Sequence, residues 1–110
     1  MRIIGAFLIA MLVIMGIAAA TVEQVKITSP QDGARFTTDD IVKIRSQVSG
    51  TNDGPMFVRM LIDGVRVYTS NWKATAGMHT ITVEAADNSY FTNAMSVTVT
   101  ITVNPSPNSK

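Results

Sequence analysis

A single histidine, His79, eight carboxylates and no cysteine are all the chain offers for acid–base, nucleophilic or metal chemistry. Their spacing assembles none of it. A Ser/His/Asp system needs a serine poised on a turn and an acid to orient the imidazole, and nothing around Gly77-Met-His-Thr-Ile81 singles out either. Zinc needs further nitrogen or sulfur ligands, which a chain with one histidine and no cysteine does not have. The acids are Glu23, Asp32, Asp39, Asp40, Asp53, Asp63, Glu84 and Asp87, most of them in turn-like stretches where aspartate is favoured for its bonds to the local backbone. A glycosidase pair would have to flank a cleft. Calcium wants six to eight oxygens, so Asp39, Asp40, Asp53 and Asp87 would serve only if their loops met in space. We therefore expect no catalysis, no metal and no cofactor.

The aromatics suit contact better than chemistry. Tyr68 and Trp72 close the stretch Tyr68-Thr-Ser-Asn-Trp72, and Tyr90-Phe91 sits inside the polar run Asn88–Asn93. An apolar ring in a polar loop marks a contact site, unless Phe91 folds back to plug an open end of the fold. Tyr90, Phe91, Trp72 and Tyr68 are thus the candidate binding residues. Phe57 and Leu61, with Ile41, form a second candidate apolar patch facing outward.

Charge narrows the partners. The chain has nine Lys and Arg against eight Asp and Glu; setting aside Arg2 leaves eight of each over residues 21–110. The positive groups are scattered rather than gathered into a stripe. Nucleic-acid affinity rests on neutralising phosphates, so nucleic acid is excluded as a partner. A protein or a glycan remains.

The elements that must position these residues fall into two parts. Residues 3–20, Ile-Ile-Gly-Ala-Phe through Ala18-Ala19-Ala20, carry no charge, follow Arg2 and end in small residues. That is the layout of a signal peptide cut before Thr21, or of a retained signal anchor, since as a helix at roughly 1.5 Å per residue the run reaches about 27 Å. Either way the rest is exported, and any membrane contact is through residues 3–20. The absence of cysteine from an exported domain favours a prokaryotic source.

From Thr21 onward the apolar period becomes two. Val25 and Ile27 alternate with Lys26 and Thr28, then Ser29-Pro30 and Gln31-Asp32-Gly33 make a turn. Val42, Ile44 and Val48 form the next apolar set, and Val58, Met60 and Ile62 the one after it. Asp63-Gly64 signals a hairpin whose return strand is expected over Val65 to Ser70. His79, Ile81, Val83 and Ala85 share one face, as do Val97, Val99, Ile101 and Val103. Strands that each bury one face require two sheets packed together. The expected fold is an all-β antiparallel sandwich of about seven strands over residues 21–103, preceded by the hydrophobic segment 1–20 and followed by a flexible tail, 104–110.

Four stretches resemble, in register, the bacterial immunoglobulin-like domains of secreted and cell-surface proteins. They are Val25-Lys-Ile-Thr-Ser-Pro-Gln-Asp-Gly33, Val58-Arg-Met-Leu-Ile-Asp-Gly64, Gly77-Met-His-Thr-Ile-Thr-Val-Glu-Ala-Ala-Asp87 and Ser96-Val-Thr-Val-Thr-Ile-Thr-Val103. The likeness covers 22–103 and departs after Asp87, where Asn88-Ser-Tyr-Phe-Thr-Asn93 replaces the family's usual turn. It implies an immunoglobulin-like sandwich used as a spacer, stalk, adhesive or carbohydrate-associated accessory. It also implies that His79 is structural and that Trp72 belongs to the core. The alternatives are a carbohydrate-binding module, with Tyr68, Trp72 and Tyr90 on one face, and a membrane-anchored or self-assembling surface subunit.

Overall fold

The computed structural model describes residues 21–51 and 55–107. Among them are nine strands and no helix: β1 (Thr21–Ser29), β2 (Arg35–Thr37), β3 (Ile41–Lys43), β4 (Arg45–Thr51), β5 (Phe57–Ile62), β6 (Val65–Val67), β7 (Asn71–Lys73), β8 (Gly77–Ala86) and β9 (Met95–Asn104). One layer is a five-stranded sheet in the order β2-β9-β8-β5-β6; the ladders β1–β4 and β3–β7 make the other.

Alternation decides which residues meet between the layers. Ile81, Val83 and Ala85 of β8 and Val99, Ile101 and Val103 of β9 turn inward and are buried. Opposite them lie Val42, Ile44 and Ala74, with Ile27, Phe36, Met60, Val67 and Trp72 packed around the rim. Each such valine or isoleucine contributes about 1.5–3 kcal/mol over its exposed state. The outer face of β8 and β9 carries threonines instead, and Thr82 and Thr98 share a hydroxyl–hydroxyl bond of 2.9 Å.

The two Asp-Gly turns act alike. Asp63 and Gly64 both have positive φ, 53° and 81°, as a type I′ hairpin turn requires. The Asp63 N–H donates to the Thr80 carbonyl at 2.9 Å, and the Thr80 N–H donates to Asp63 Oδ1 at 3.0 Å. Gly33, with φ 85°, donates to the Thr100 carbonyl at 2.8 Å, while the Thr100 N–H donates to Asp32 Oδ1 at 2.8 Å. Thr80 and Thr100 are direct partners across β8 and β9. Each turn therefore prolongs the ladder of an outer strand against the central pair. Asp32, read from the sequence as serving its own turn, bonds instead to a residue far along the chain.

The structure corrects the expected fold in four places. There are nine strands rather than about seven, because β2 and β7 have three residues each, too few to show a period, and the run Val42 to Val48 breaks at Ile44 into β3, which pairs with β7, and β4, which pairs with β1. The sandwich is not wholly antiparallel: β2 pairs with β9 in parallel, Phe36 beside Val103. The chain changes layers after the buried Pro30, whose peptide bond with Ser29 is cis, and then runs alongside β9. The return strand of the hairpin ends at Val67, not Ser70. Finally, the stretch expected as a tail from 104 is held at its start. Asn104 ends β9, the Thr38 N–H donates to its carbonyl, and the buried Ser106 takes part in bonds with Thr38 and Asp39. The segment 1–20 and Asp53 lie outside the described residues.

Candidate contact face

The outer face of the five-stranded sheet brings together charged and aromatic groups that are separate in sequence. In β5, Phe57, Arg59 and Leu61 point away from the core, since Met60 and Ile62 point into it. Arg59 stands opposite Glu84 of β8, and its Nε donates to Glu84 Oε1 at 2.5 Å. The same guanidinium lies 4.2 Å from the centroid of Phe91. Two residues further along β5, Leu61 stands opposite Arg66 of β6, whose guanidinium lies 5.0 Å from the Tyr68 centroid. Two arginine–aromatic pairs thus sit side by side at the β5–β6 margin. Each such pair is worth about 0.5–1 kcal/mol at an exposed site.

Asn88 shapes the loop that delivers Phe91. Its Oδ1 accepts from the N–H groups of Tyr90 and Thr92 at 3.1 and 3.0 Å. Its Nδ2 donates to the Thr92 carbonyl and to Asp87 Oδ1. Phe91 is left with φ 57°, a left-handed conformation that costs a bulky residue about 1–2 kcal/mol. Bent this way, the chain lays Phe91 half-buried under Arg59 and turns Tyr90 out to 88% exposure. Phe91 therefore neither plugs the sandwich end nor stands free; it packs on the outer sheet face.

A recess of about 220 Å³ opens at this margin, lined by Ser46, Val58, Arg59, Met60, Arg66, Val67 and Tyr68. It exists because β6 stops at Val67, opposite Met60, leaving Phe57 to Arg59 without a neighbour on that side. Val58 is accordingly 44% exposed and Tyr68 84%.

Of the aromatics, Tyr68 and Phe91 come to this margin, linked through Arg59 and the recess, while Tyr90, beside Phe91 in its loop, faces solvent. Trp72 does not reach the margin. It pairs with the buried Val42 in the other layer, packs on the core, and meets His79 edge-on, with centroids 4.8 Å apart. Ile41 does not join Phe57 and Leu61 either. It is 51% exposed on the outside of the opposite layer, so the two outward sets look away from each other. Arg59, Arg66 and Asn88 escaped the sequence reading. The alternation did place Arg59 and Glu84 on outward faces, but not opposite each other.

His79 works in the hairpin. Its Nδ1 lies 2.6 Å from Asp63 Oδ2, and its Nε2 donates to the Thr75 carbonyl at 2.7 Å. Both nitrogens face acceptors, which only the imidazolium satisfies fully. Burial pushes the His79 pKa down, but the bonds to the Asp63 carboxylate and the Thr75 carbonyl outweigh it and the net shift is upward. Partial burial of Asp63 raises its pKa, yet the bonds from His79 and the Thr80 N–H carry it below the ordinary carboxylate value. Among the described residues no cluster of three or more His, Cys, Asp or Glu side chains is placed to hold a metal. Nor, among them, is any helix long and apolar enough to cross a membrane.

Comparison with known proteins bears on the fold. A family model described as a bacterial Ig domain matches residues 24–83, more than half of the chain. No curated protein matches. Among solved structures, fibronectin(III)-like modules of Clostridium thermocellum CbhA are similar at 25% identity and TM-score 0.64, over 90% of this chain and 54% of that one. A Bacteroides ovatus protein of a mixed-linkage glucan utilization locus, SGBP-B, solved in complex with a mixed-linkage heptasaccharide, matches at 16% identity and TM-score 0.50. That match covers 80% of this chain and 26% of the other. The chain spans about half or less of the length of these structures.

Proposed function

The chain belongs to the bacterial Ig domain family, and on that premise we propose that it is a non-catalytic binding module working outside the cytoplasm. It meets a protein or glycan of the cell envelope through the β5–β6 margin of its five-stranded sheet. The observation that carries this reading is the paired arrangement of Arg59 over Phe91 and Arg66 over Tyr68. Rings and guanidiniums held in fixed geometry on an open face lose little entropy when a partner arrives, and Tyr and Arg dominate the energetics of contact sites. The apolar run 3–20 behind Arg2 supplies the export signal.

The carbohydrate-binding form of this reading is favoured by the two solvent-exposed tyrosines, Tyr68 and Tyr90. It loses its third ring, because Trp72 is committed to the core. Co-sedimentation with insoluble polysaccharides and cell-wall preparations tests the proposal. The protein should pellet with at least one of them, and a Tyr68→Ala/Tyr90→Ala variant should stay in the supernatant. Equal pelleting of the two proteins would remove the margin from the account.

A further inference from the structure

We infer that the recess at the β5–β6 margin is a subsite for an acidic sugar, a hexuronate residue of a polysaccharide, with Arg66 taking its carboxylate and Tyr68 its ring face. The inference rests on the reading of this margin as a contact face and adds the chemistry of the ligand. Three features of the recess converge on it.

The first is charge. Arg59 and Arg66 both border the cavity, but Arg59 is neutralised by Glu84. Arg66 has no carboxylate partner among the described residues. Its contact is the face of Tyr68, which occupies none of its five N–H donors. A guanidinium with its edge free takes a carboxylate through two parallel bonds. The second is the lining. Val58, Met60 and Val67 make part of the lining apolar, and Tyr68 and Ser46 line it with them. A pyranose presents C–H groups on one side and hydroxyls at its edge, which suits a lining that mixes aliphatic side chains, an aromatic ring and a serine. The third is size. The recess is about 220 Å³ and open to solvent. That suits one sugar ring; a groove for an extended peptide would be longer.

Isothermal titration of the protein with polygalacturonate, dextran, dextran sulfate and polyglutamate tests this. Polygalacturonate should bind with an affinity that falls as salt rises, and dextran should not bind. Arg66→Gln and Tyr68→Ala should each weaken polygalacturonate binding by about tenfold or more, with Arg66→Lys between Gln and the native protein. Both residues are exposed, so unchanged thermal unfolding verifies that the variants fold. Dextran binding as tightly as polygalacturonate, or indifference to Arg66→Gln, would overturn the acidic-sugar subsite while leaving the contact face intact. Equal binding of dextran sulfate or polyglutamate would overturn it in favour of a general anion or an acidic peptide. If no polymer binds, the subsite falls, and the sedimentation behaviour of the tyrosine variant decides separately whether the face stands.

Discussion

The guanidinium of Arg59 is held between the Glu84 carboxylate and the ring of Phe91, 2.5 Å from the one and 4.2 Å from the centroid of the other. One side chain thereby ties β5 to β8 and fastens the loop after β8 to the outer sheet face. The ion pair is partly exposed, with side-chain accessibilities of 31% and 24%, so most of its value lies in geometry. Arg59→Ala should cost about 1–2 kcal/mol in chemical denaturation, the sum of a modest ion pair and a cation–π contact. A double-mutant cycle with Phe91→Ala should return a coupling of about 0.5–1 kcal/mol. Strict additivity would mean that the stacking contributes nothing.

Phe91 also bears left-handed backbone. Phe91→Gly loses the ring but relieves that strain, whereas Phe91→Ala loses the ring and keeps it. The glycine variant should therefore be the more stable of the two, by about 1 kcal/mol. Denaturation midpoints of the two variants compare them directly, and the reverse order would contradict the assigned φ.

The His79–Asp63 pair sets a pH window. The folded His79 pKa lies above its ordinary value of 6.5, so its contribution is complete below 6.5 and disappears as pH rises through the folded value. Asp63 lies below 3.8 when folded, so its contribution is present above 3.8 and disappears as pH falls through the folded value. The pair stabilises most between the two. A plot of melting temperature against pH should slope downward above 6.5, and Asp63→Asn, which tolerates the positive φ of the turn, should flatten that slope. Trp72, 4.8 Å from the imidazole, supplies a fluorescence readout of the same titration.

Asp32 and Asp63 each accept a strand N–H at the partner residues Thr100 and Thr80. Asp32→Ala should cost about 1–3 kcal/mol, the value of a charged acceptor to a backbone N–H, and should speed hydrogen exchange at the Thr100 amide. An unaltered exchange rate there would show that water replaces the carboxylate without loss.

What the sequence made legible follows from period. Ile81 to Ala85 and Val97 to Val103 are long enough to declare their inward faces, and Asp63-Gly64 declared its hairpin. The three-residue strands did not, because Arg35-Phe-Thr37 and Asn71-Trp-Lys73 have no periodicity of their own and exist only through β9 and β3. The contact margin was half legible. Tyr68, Tyr90 and Phe91 stand out as aromatics in polar surroundings, but the link between Phe91 and the recess beside Tyr68 runs through Arg59. Its pairing with Glu84 depends on strand register across 25 residues, and alternation along one strand carries no register. Trp72 and Tyr68 look equivalent by type; the family likeness assigns Trp72 to the core, and its pairing with Val42 is what holds it there.

The central claim, that the β5–β6 margin is the face that meets a partner, is tested most directly by mapping amide chemical shifts during titration with polygalacturonate. The account predicts perturbations gathered on residues 57–61, 65–68 and 88–92, saturating together. Perturbations gathered instead on β1 and β4, across the sandwich, would contradict it.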